Sequence, residues 1–368
     1  MMRTIRDMDL AGKRVLIRAD FNVPIKDGKI TDETRIRETL PTIRLALEKK
    51  ARRVVLCSHL GRPQGRPVAQ MSLRPVARRL EELLGRPVAF DAEGDIMLLE
   101  NLRFDPGETK NDPEFARGLA ARCDVYINDA FGAAHRAHAS VEALARLVPE
   151  RGAGLLLARE LEVLGRLLEN PARPFVVVLG GAKVEDKLRL VENILPRVDR
   201  LLLGGGMAFT FLAAMGKKIG ASIVATSLIE TVEVVLEQHQ AKFVLPVDAV
   251  VDSSPPAALT GDLPEGRRGM DIGPQTVTLF RHKLADAKTI FWNGPMGVFE
   301  RPEYASGTRS LVTLLSGLSA VKVVGGGDTI AAISKFGNVS DYTHVSTGGG
   351  ASMEFLEGAR LPGVEALR

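Results

Sequence analysis

Along the whole chain, short runs of Val, Ile and Leu alternate with stretches in which apolar residues recur every three or four positions, as strands alternating with amphipathic helices do. In the first half, the runs Arg14 to Arg18, Arg53 to Cys57, Ile96 to Leu99 and Val125 to Ile127 predict strands. Glu33 to Lys50, Leu73 to Leu84, Pro113 to Arg122 and Val141 to Leu147 predict the helices between them. A further helical pattern, Leu155 to Asn170, is closed by Asn170-Pro171, because proline cannot continue a helix. Strand runs then resume at Phe175 to Leu179, Leu201 to Leu203, Phe243 to Leu245, Thr289 to Trp292, Val321 to Val324 and His344 to Ser346. The alternation predicts an α/β fold: two Rossmann-like parallel-sheet domains joined by an interdomain helix. On this reading residues 1–153 form the first domain, 154–171 the joining helix and 172–352 the second domain.

A length of 368 residues agrees with two cores, and a chain 45% hydrophobic and 26% charged has the composition of a globular protein. No apolar run is long enough to cross a bilayer, so a cytoplasmic protein is expected, with no membrane partner. Two cysteines, Cys57 and Cys123, are too few for a disulfide framework and read as small core side chains. The net charge of +4 is unevenly placed: residues 1–90 hold 20 Lys and Arg against 10 Asp and Glu, and the rest is net negative. Because the basic residues are not interleaved with aromatics, a small multiply charged anion fits better than nucleic acid.

In parallel sheets ligands gather at the carboxyl ends of strands, where loops converge and helix N-termini point their N–H groups. The first-half ends read Ala19-Asp20-Phe21-Asn22, Ser58-His59-Leu60-Gly61-Arg62, Glu100-Asn101-Leu102-Arg103 and Asn128-Asp129-Ala130-Phe131-Gly132, the last running on to His135-Arg136-Ala137-His138. They are basic and hydrogen-bonding. The second-half ends read Gly180-Gly181-Ala182-Lys183, Gly204-Gly205-Gly206-Met207, Asn293-Gly294-Pro295-Met296-Gly297, Gly325-Gly326-Gly327-Asp328-Thr329 and Thr347-Gly348-Gly349-Gly350. Glycines there let backbone approach a ligand and leave amides to cradle phosphate, and each loop is expected to open a helix. Neither G-x-x-x-x-G-K-[ST] nor G-x-G-x-x-G occurs, so the nucleotide is held by other means. His135 and His138 have no nearby Cys or further His and read as structural.

At these residues the sequence resembles the phosphoglycerate kinase family over essentially its whole length. The matching stretches are RADFNVP (Arg18 to Pro24), TRIR (Thr34 to Arg37), SHLGRP (Ser58 to Pro63), LLENLRF (Leu98 to Phe104), NDAFGAAHRAHAS (Asn128 to Ser140), LGGAKV (Leu179 to Val184), WNGPMGVFE (Trp292 to Glu300), Gly325 to Thr329 and STGGGA (Ser346 to Ala351). The resemblance implies phosphoryl transfer between 1,3-bisphosphoglycerate with ADP and 3-phosphoglycerate with ATP, with Mg2+, in a monomer whose cleft closes. It implies that residues 353–368 return to the first domain.

Carried onto matching positions, the resemblance puts Asp20, Asn22, Arg35, His59, Arg62, Arg103 and Arg136 on the phosphoglycerate, with Asp20 at its hydroxyl. Arg35 and Lys183 fall at the transferring group, Lys187 and Glu300 on the nucleotide, and Asp328 on magnesium. Gly204, Gly205, Gly206, Gly269, Asn293 and Pro295 would line the adenosine pocket, while Gly326, Gly327, Thr329, Gly348, Gly349 and Gly350 would hold phosphate oxygens. Lys183 and Lys187, four apart at the start of a helical pattern, would share a face. A carboxylate nucleophile is already ionised, so no general base is needed and electrostatic positioning suffices.

Two segments depart from the family pattern: Asp91 to Met97 is short by about one βα element, and Ala221 to Lys242 is trimmed. A non-catalytic binding protein and a nicotinamide-dependent oxidoreductase are the rival readings. The first would make no ATP, and the second would bind NADH but not ADP.

Overall fold

The structure is a computed structural model that describes residues 2–368. Contacts divide the chain into two compact units, Met1–Glu162 with Ala359–Arg368, and Val163–Gly358. The division falls inside the helix Leu155–Glu169 rather than at either of its ends.

The first unit is built on a six-stranded, all-parallel sheet in the order Ala89–Phe90, Ile96–Leu98, Arg53–Cys57, Arg14–Arg18, Val125–Asn128, Glu150–Ala153. Its central strands are apolar because helices cover both faces: Val15, Leu16, Ile17, Val54, Leu56, Val125 and Ile127 have no exposed surface. Helix Arg74–Leu84 starts with proline in its first turn and stops at Gly85, whose φ of +63° suits the left-handed C-terminal position. The last residues pack into this unit, where the Gly363 amide donates to the Ala134 carbonyl at 2.9 Å.

The shortened segment takes an unexpected form. Strands Ala89–Phe90 and Ile96–Leu98 pair in parallel although only residues 91–95 join them, far fewer than a helical crossover needs. Such a return is feasible because the strands are two and three residues long. Asp91 takes φ +48°, and a Cβ on Gly94 would lie 2.8 Å from the Ala89 Cβ, so the tight loop depends on glycine there.

The second unit repeats the architecture with a parallel sheet in the order Phe243–Val244, Arg200–Leu203, Phe175–Leu179, Thr289–Asn293, Val321–Gly325, His344–Val345. Every residue of Phe175–Leu179 has no exposed surface. A three-stranded antiparallel sheet, Ala257–Thr260, Asp248–Val251 and Gly269–Ile272, is added beside it. Cys57 and Cys123 are both buried, as core side chains should be. Among the described residues no helix is long and apolar enough to cross a membrane.

Asp271, on the antiparallel sheet, accepts from the Gly307 amide at 2.6 Å, at the start of helix Ser306–Ser316, and from its own neighbour Ile272 N at 2.9 Å. Burial pushes its carboxyl up to about 7 against the lowering effect of these two bonds. Between its unfolded value of 3.8 and about 7 the native state holds a proton the unfolded chain lacks, so this group's contribution falls as pH rises through that window. The stability of the wild type relative to Asp271→Asn should therefore decline from mildly acidic to neutral pH, by at most about 1.4 kcal/mol per pH unit. Urea unfolding of both proteins across that range checks it, and a pH-independent difference would refute it.

Candidate functional site

In the first unit the strand order reverses beside Arg14–Arg18, which has Arg53–Cys57 on one side and Val125–Asn128 on the other. The loops leaving the carboxyl ends of these strands are tied to one another by their own polar groups. Asp20, largely buried, accepts from Arg35 Nη1 at 3.0 Å and from Asn22 N at 3.1 Å. Arg35 Nη1 also donates to the Asn22 carbonyl at 3.3 Å. Asn22 Oδ1 in turn accepts from Gly61 N at 2.9 Å, which joins the first loop to the loop carrying His59 and Arg62. Gly61, at φ +63°, turns its carbonyl to accept from Arg103 Nη1 at 2.7 Å. Beneath it the Asn101 carboxamide bonds the Leu60 amide and carbonyl and the Arg103 amide, fixing the loop from inside.

This face is short of negative charge. Burial first, then Arg18 and Arg136, push the Arg103 guanidinium down to about 10, and its Nε has no partner among the described residues. His59 is buried and held well below its ordinary value by burial, then by Arg18, Arg103, Arg35 and His138. Arg136 is half-buried, with Nε donating to His135 Nε2 at 3.0 Å. Arg62 is exposed and makes no hydrogen bond or ion pair among the described residues. Of the seven residues expected on the phosphoglycerate, five are thus linked by bonds or packed together, Arg136 joins them through its charge on Arg103, and Arg62 stands at the open rim.

In the second unit the glycine loops divide into two kinds, which corrects the expectation that all of them offer amides and open helices. The amides of Gly180, Gly181, Gly204 and Gly205 donate to Asn293 O, Pro295 O, Leu179 O and Met296 O at 2.8–3.0 Å. Their glycines are required by loop packing, since a Cβ on Gly180 would lie 2.1 Å from the Pro295 carbonyl oxygen. Asn293 Nδ2 donates to Gly325 O at 2.7 Å, and buried Thr329 Oγ1 accepts from Gly294 N at 2.8 Å, so these side chains stitch a third loop to the pair. Neither Gly180 to Lys183 nor Asn293 to Gly297 leads directly into a helix. By contrast Gly326 and Gly327 begin helix Gly327–Phe336, Gly349 and Gly350 begin helix Gly350–Leu356, and their amides have no partner among the described residues. The Gly348 amide donates to Ser346 Oγ at 3.2 Å. Asp328 lies exposed in the first turn after Gly327.

The two lysines also differ from expectation. Both precede helix Leu188–Ile194 rather than sharing a face of it. Lys187 Nζ donates to Gly180 O at 2.5 Å and Asn293 O at 3.3 Å, and burial pushes it down to about 8 against the pull of Asp328 and Asp186. Lys183 is exposed and has no hydrogen bond or ion pair among the described residues. Glu300 is exposed, while Gly269 lies under the Phe209 ring, whose Cζ would be 1.9 Å from an added Cβ. Phe209 also lines a cavity of about 330 Å³ with Leu212, Lys218, Leu245, Pro246 and Ala249, which the sequence reading did not identify.

Other contributors went unread as well. Arg18 and Glu108, both without exposed surface, lie behind the basic face, and Ser140 bonds each of them. The signals for Arg18 were a charge closing an apolar strand, in Val15-Leu16-Ile17-Arg18, and its place in the RADFNVP stretch, while Glu108 had none.

A parallel α/β unit presenting pinned arginines, and a second presenting bare amides beside an exposed carboxylate, define a two-unit phosphotransferase. The family model described as phosphoglycerate kinase matches residues 5–359. The chain is 49% identical over 392 aligned positions to the phosphoglycerate kinase of Thermosipho africanus, covering 99% of this chain and 97% of that protein. It is 51% identical to that of Rubrobacter xylanophilus, covering 99% and 98%. Among solved structures, the Coxiella burnetii phosphoglycerate kinase superposes with a TM-score of 0.92 at 41% identity, covering 100% of this chain and 99% of that one. The Pyrococcus horikoshii phosphoglycerate kinase gives a TM-score of 0.84 at 35% identity, covering 100% and 98%. The chain belongs to the phosphoglycerate kinase family. Its activity is reversible phosphoryl transfer between 1,3-bisphosphoglycerate with ADP and 3-phosphoglycerate with ATP.

Proposed function

We propose that the face built from Asp20, Asn22, Arg35, His59, Arg62, Arg103 and Arg136 holds the phosphoglycerate, and that Lys183 and the glycine-opened helices hold the nucleotide phosphates. The observation that carries this reading is the excess of cations fixed in place before any ligand arrives, with Arg35 pinned at 3.0 Å to Asp20 and Arg103 at 2.7 Å to Gly61 O. Guanidinium forks suit a ligand with a phosphate at one end and a carboxylate at the other. Asp20, an anion among them, suits the ligand's hydroxyl, to which it can offer only an acceptor.

On the nucleotide side, the unpartnered amides of Gly326, Gly327, Gly349 and Gly350 favour phosphate oxygens. The 330 Å³ cavity beside Phe209 is large enough to take part of a nucleoside. Lys187, committed to two loop carbonyls, keeps the Gly180 and Asn293 loops together and so shapes the nucleotide seat. Asp328 fits magnesium, because an exposed carboxylate beside a phosphate cradle is the protein share that a phosphate-bound magnesium ion needs. A magnesium ion held there by Asp328 would supply neutralisation of developing charge on the phosphates. The substrate carboxylate attacks unaided, while Arg35 and Lys183 stabilise the transferring group.

Arg62 provides the test, since it has no partner that its removal would strand. In Arg62→Ala the KM for 3-phosphoglycerate should rise roughly 10- to 100-fold, as expected for a lost charged hydrogen bond, with the KM for ATP unchanged. Equal rises in both constants in a coupled assay would contradict the assignment of this face.

A further inference from the structure

Arg18 closes strand Arg14–Arg18 with no exposed surface, so it cannot itself meet a ligand. All three of its nitrogens are engaged: Nε donates to Ser140 Oγ at 3.0 Å, Nη1 donates to Ala19 O at 2.5 Å, and Nη2 lies 3.2 Å from His59 Nδ1. Glu108, equally buried, accepts from Ser140 Oγ at 2.7 Å and Ser140 N at 2.9 Å, and stands 4.0 Å from Arg18 Nη2. A buried arginine thus has a buried carboxylate behind it and a histidine in front.

The chemistry of the pair restricts the imidazole. A guanidinium carries only donors and does not deprotonate in proteins, so it can bond Nδ1 only if that nitrogen keeps its lone pair. A neutral ring with a bare Nδ1 carries its proton on Nε2. Surrounding charge works in the same direction, since Arg18, Arg103, Arg35 and His138 all act with burial against the imidazolium. Nε2 has no hydrogen-bond partner among the described residues and is not sealed from solvent.

We propose that Arg18, held by Glu108 and Ser140, is a positioning residue that fixes His59 as the tautomer protonated at Nε2, so that the ring presents a preset N–H donor to an oxygen of the phosphoglycerate. The ligand-facing half of this inference rests on the substrate reading of the first unit, whereas the tautomer does not. Unlike the arginines around it, His59 then contributes direction without adding charge.

With six histidines in the chain, side-chain proton–nitrogen correlation spectra of the ligand-free protein can resolve each ring, with His59→Gln for assignment. The expected result is an unprotonated Nδ1 and a protonated Nε2 at His59, unchanged from mildly alkaline to mildly acidic solution. A protonated Nδ1, or an average of two tautomers, overturns the proposal in the wild type alone, whatever the variants do. In Arg18→Lys one ammonium cannot serve Ser140, Ala19 and His59 together, so the tautomers should average. The KM for 3-phosphoglycerate should then rise about tenfold while the KM for ATP holds. A tautomer or KM unmoved in Arg18→Lys overturns the positioning role. An unmoved KM in His59→Ala, which keeps no side-chain donor, overturns the donor role while leaving the tautomer standing.

Discussion

Replacing Arg35 with alanine should lower kcat about 10²- to 10³-fold, the usual loss for one preorganised donor at a developing charge. Arg35 is half-buried and fastened at two points, to Asp20 Oδ2 at 3.0 Å and to the Asn22 carbonyl at 3.3 Å. A cation held this way needs no reorganisation when the phosphoryl group passes, so its value lies in the barrier more than in ground-state affinity. The KM for ATP should stay near its wild-type value, and Arg35→Lys should recover only part of the rate, because both anchors use Nη1 alone and an ammonium that keeps them lacks the second arm of the guanidinium fork. Asp20 retains its bond from Asn22 N in the variant, so the fold should survive. Rates within a fewfold of wild type in the coupled assay would remove Arg35 from the transfer step.

Lys183→Ala should cost a comparable 10²- to 10³-fold in kcat, for a reason that separates it from its neighbour. Lys183 is exposed and bonds nothing among the described residues, so its loss should leave stability within about 0.5 kcal/mol of wild type. A large kinetic effect without a stability effect is the signature of a group whose partner is the reacting one. Lys187 would behave differently: removing it strips a buried donor from Gly180 O and Asn293 O, so loop integrity and rate should fall together. Denaturant unfolding alongside the assay distinguishes the two lysines, and a destabilised Lys183→Ala would contradict the division of labour.

The main strands were legible because parallel strands buried on both faces read as unbroken apolar runs, and Phe175–Leu179 shows how directly that pattern maps onto structure. Strand Glu150–Ala153 escaped notice because a Glu-Arg-Gly-Ala edge carries no such run. The antiparallel sheet was missed because Ala257–Thr260 is almost wholly exposed. Ala89–Phe90 is too short to leave a pattern, and its five-residue return defies the usual crossover rule.

Site chemistry was legible at the level of residue type. Which group bonds which was not. Glycine at a strand end signals close approach without saying whether a ligand or a neighbouring loop approaches, and Gly180, Gly181, Gly204 and Gly205 turn out to meet loop and strand carbonyls. Arg18 and Glu108 meet only because residues 90 positions apart fold onto Ser140, a pairing that no local spacing encodes. The Thermosipho alignment runs to 392 positions against 368 residues here, which agrees with a chain trimmed relative to its family.

The most direct measurement is a double-mutant cycle in kcat for ATP formation from 1,3-bisphosphoglycerate and ADP, comparing wild type, Arg35→Ala, Lys183→Ala and the pair. If both cations act on one migrating phosphoryl group, the double variant should lose clearly less than the product of the single losses. Losses that multiply fully, or a single variant that retains its rate, would show that the two cations do not share a target.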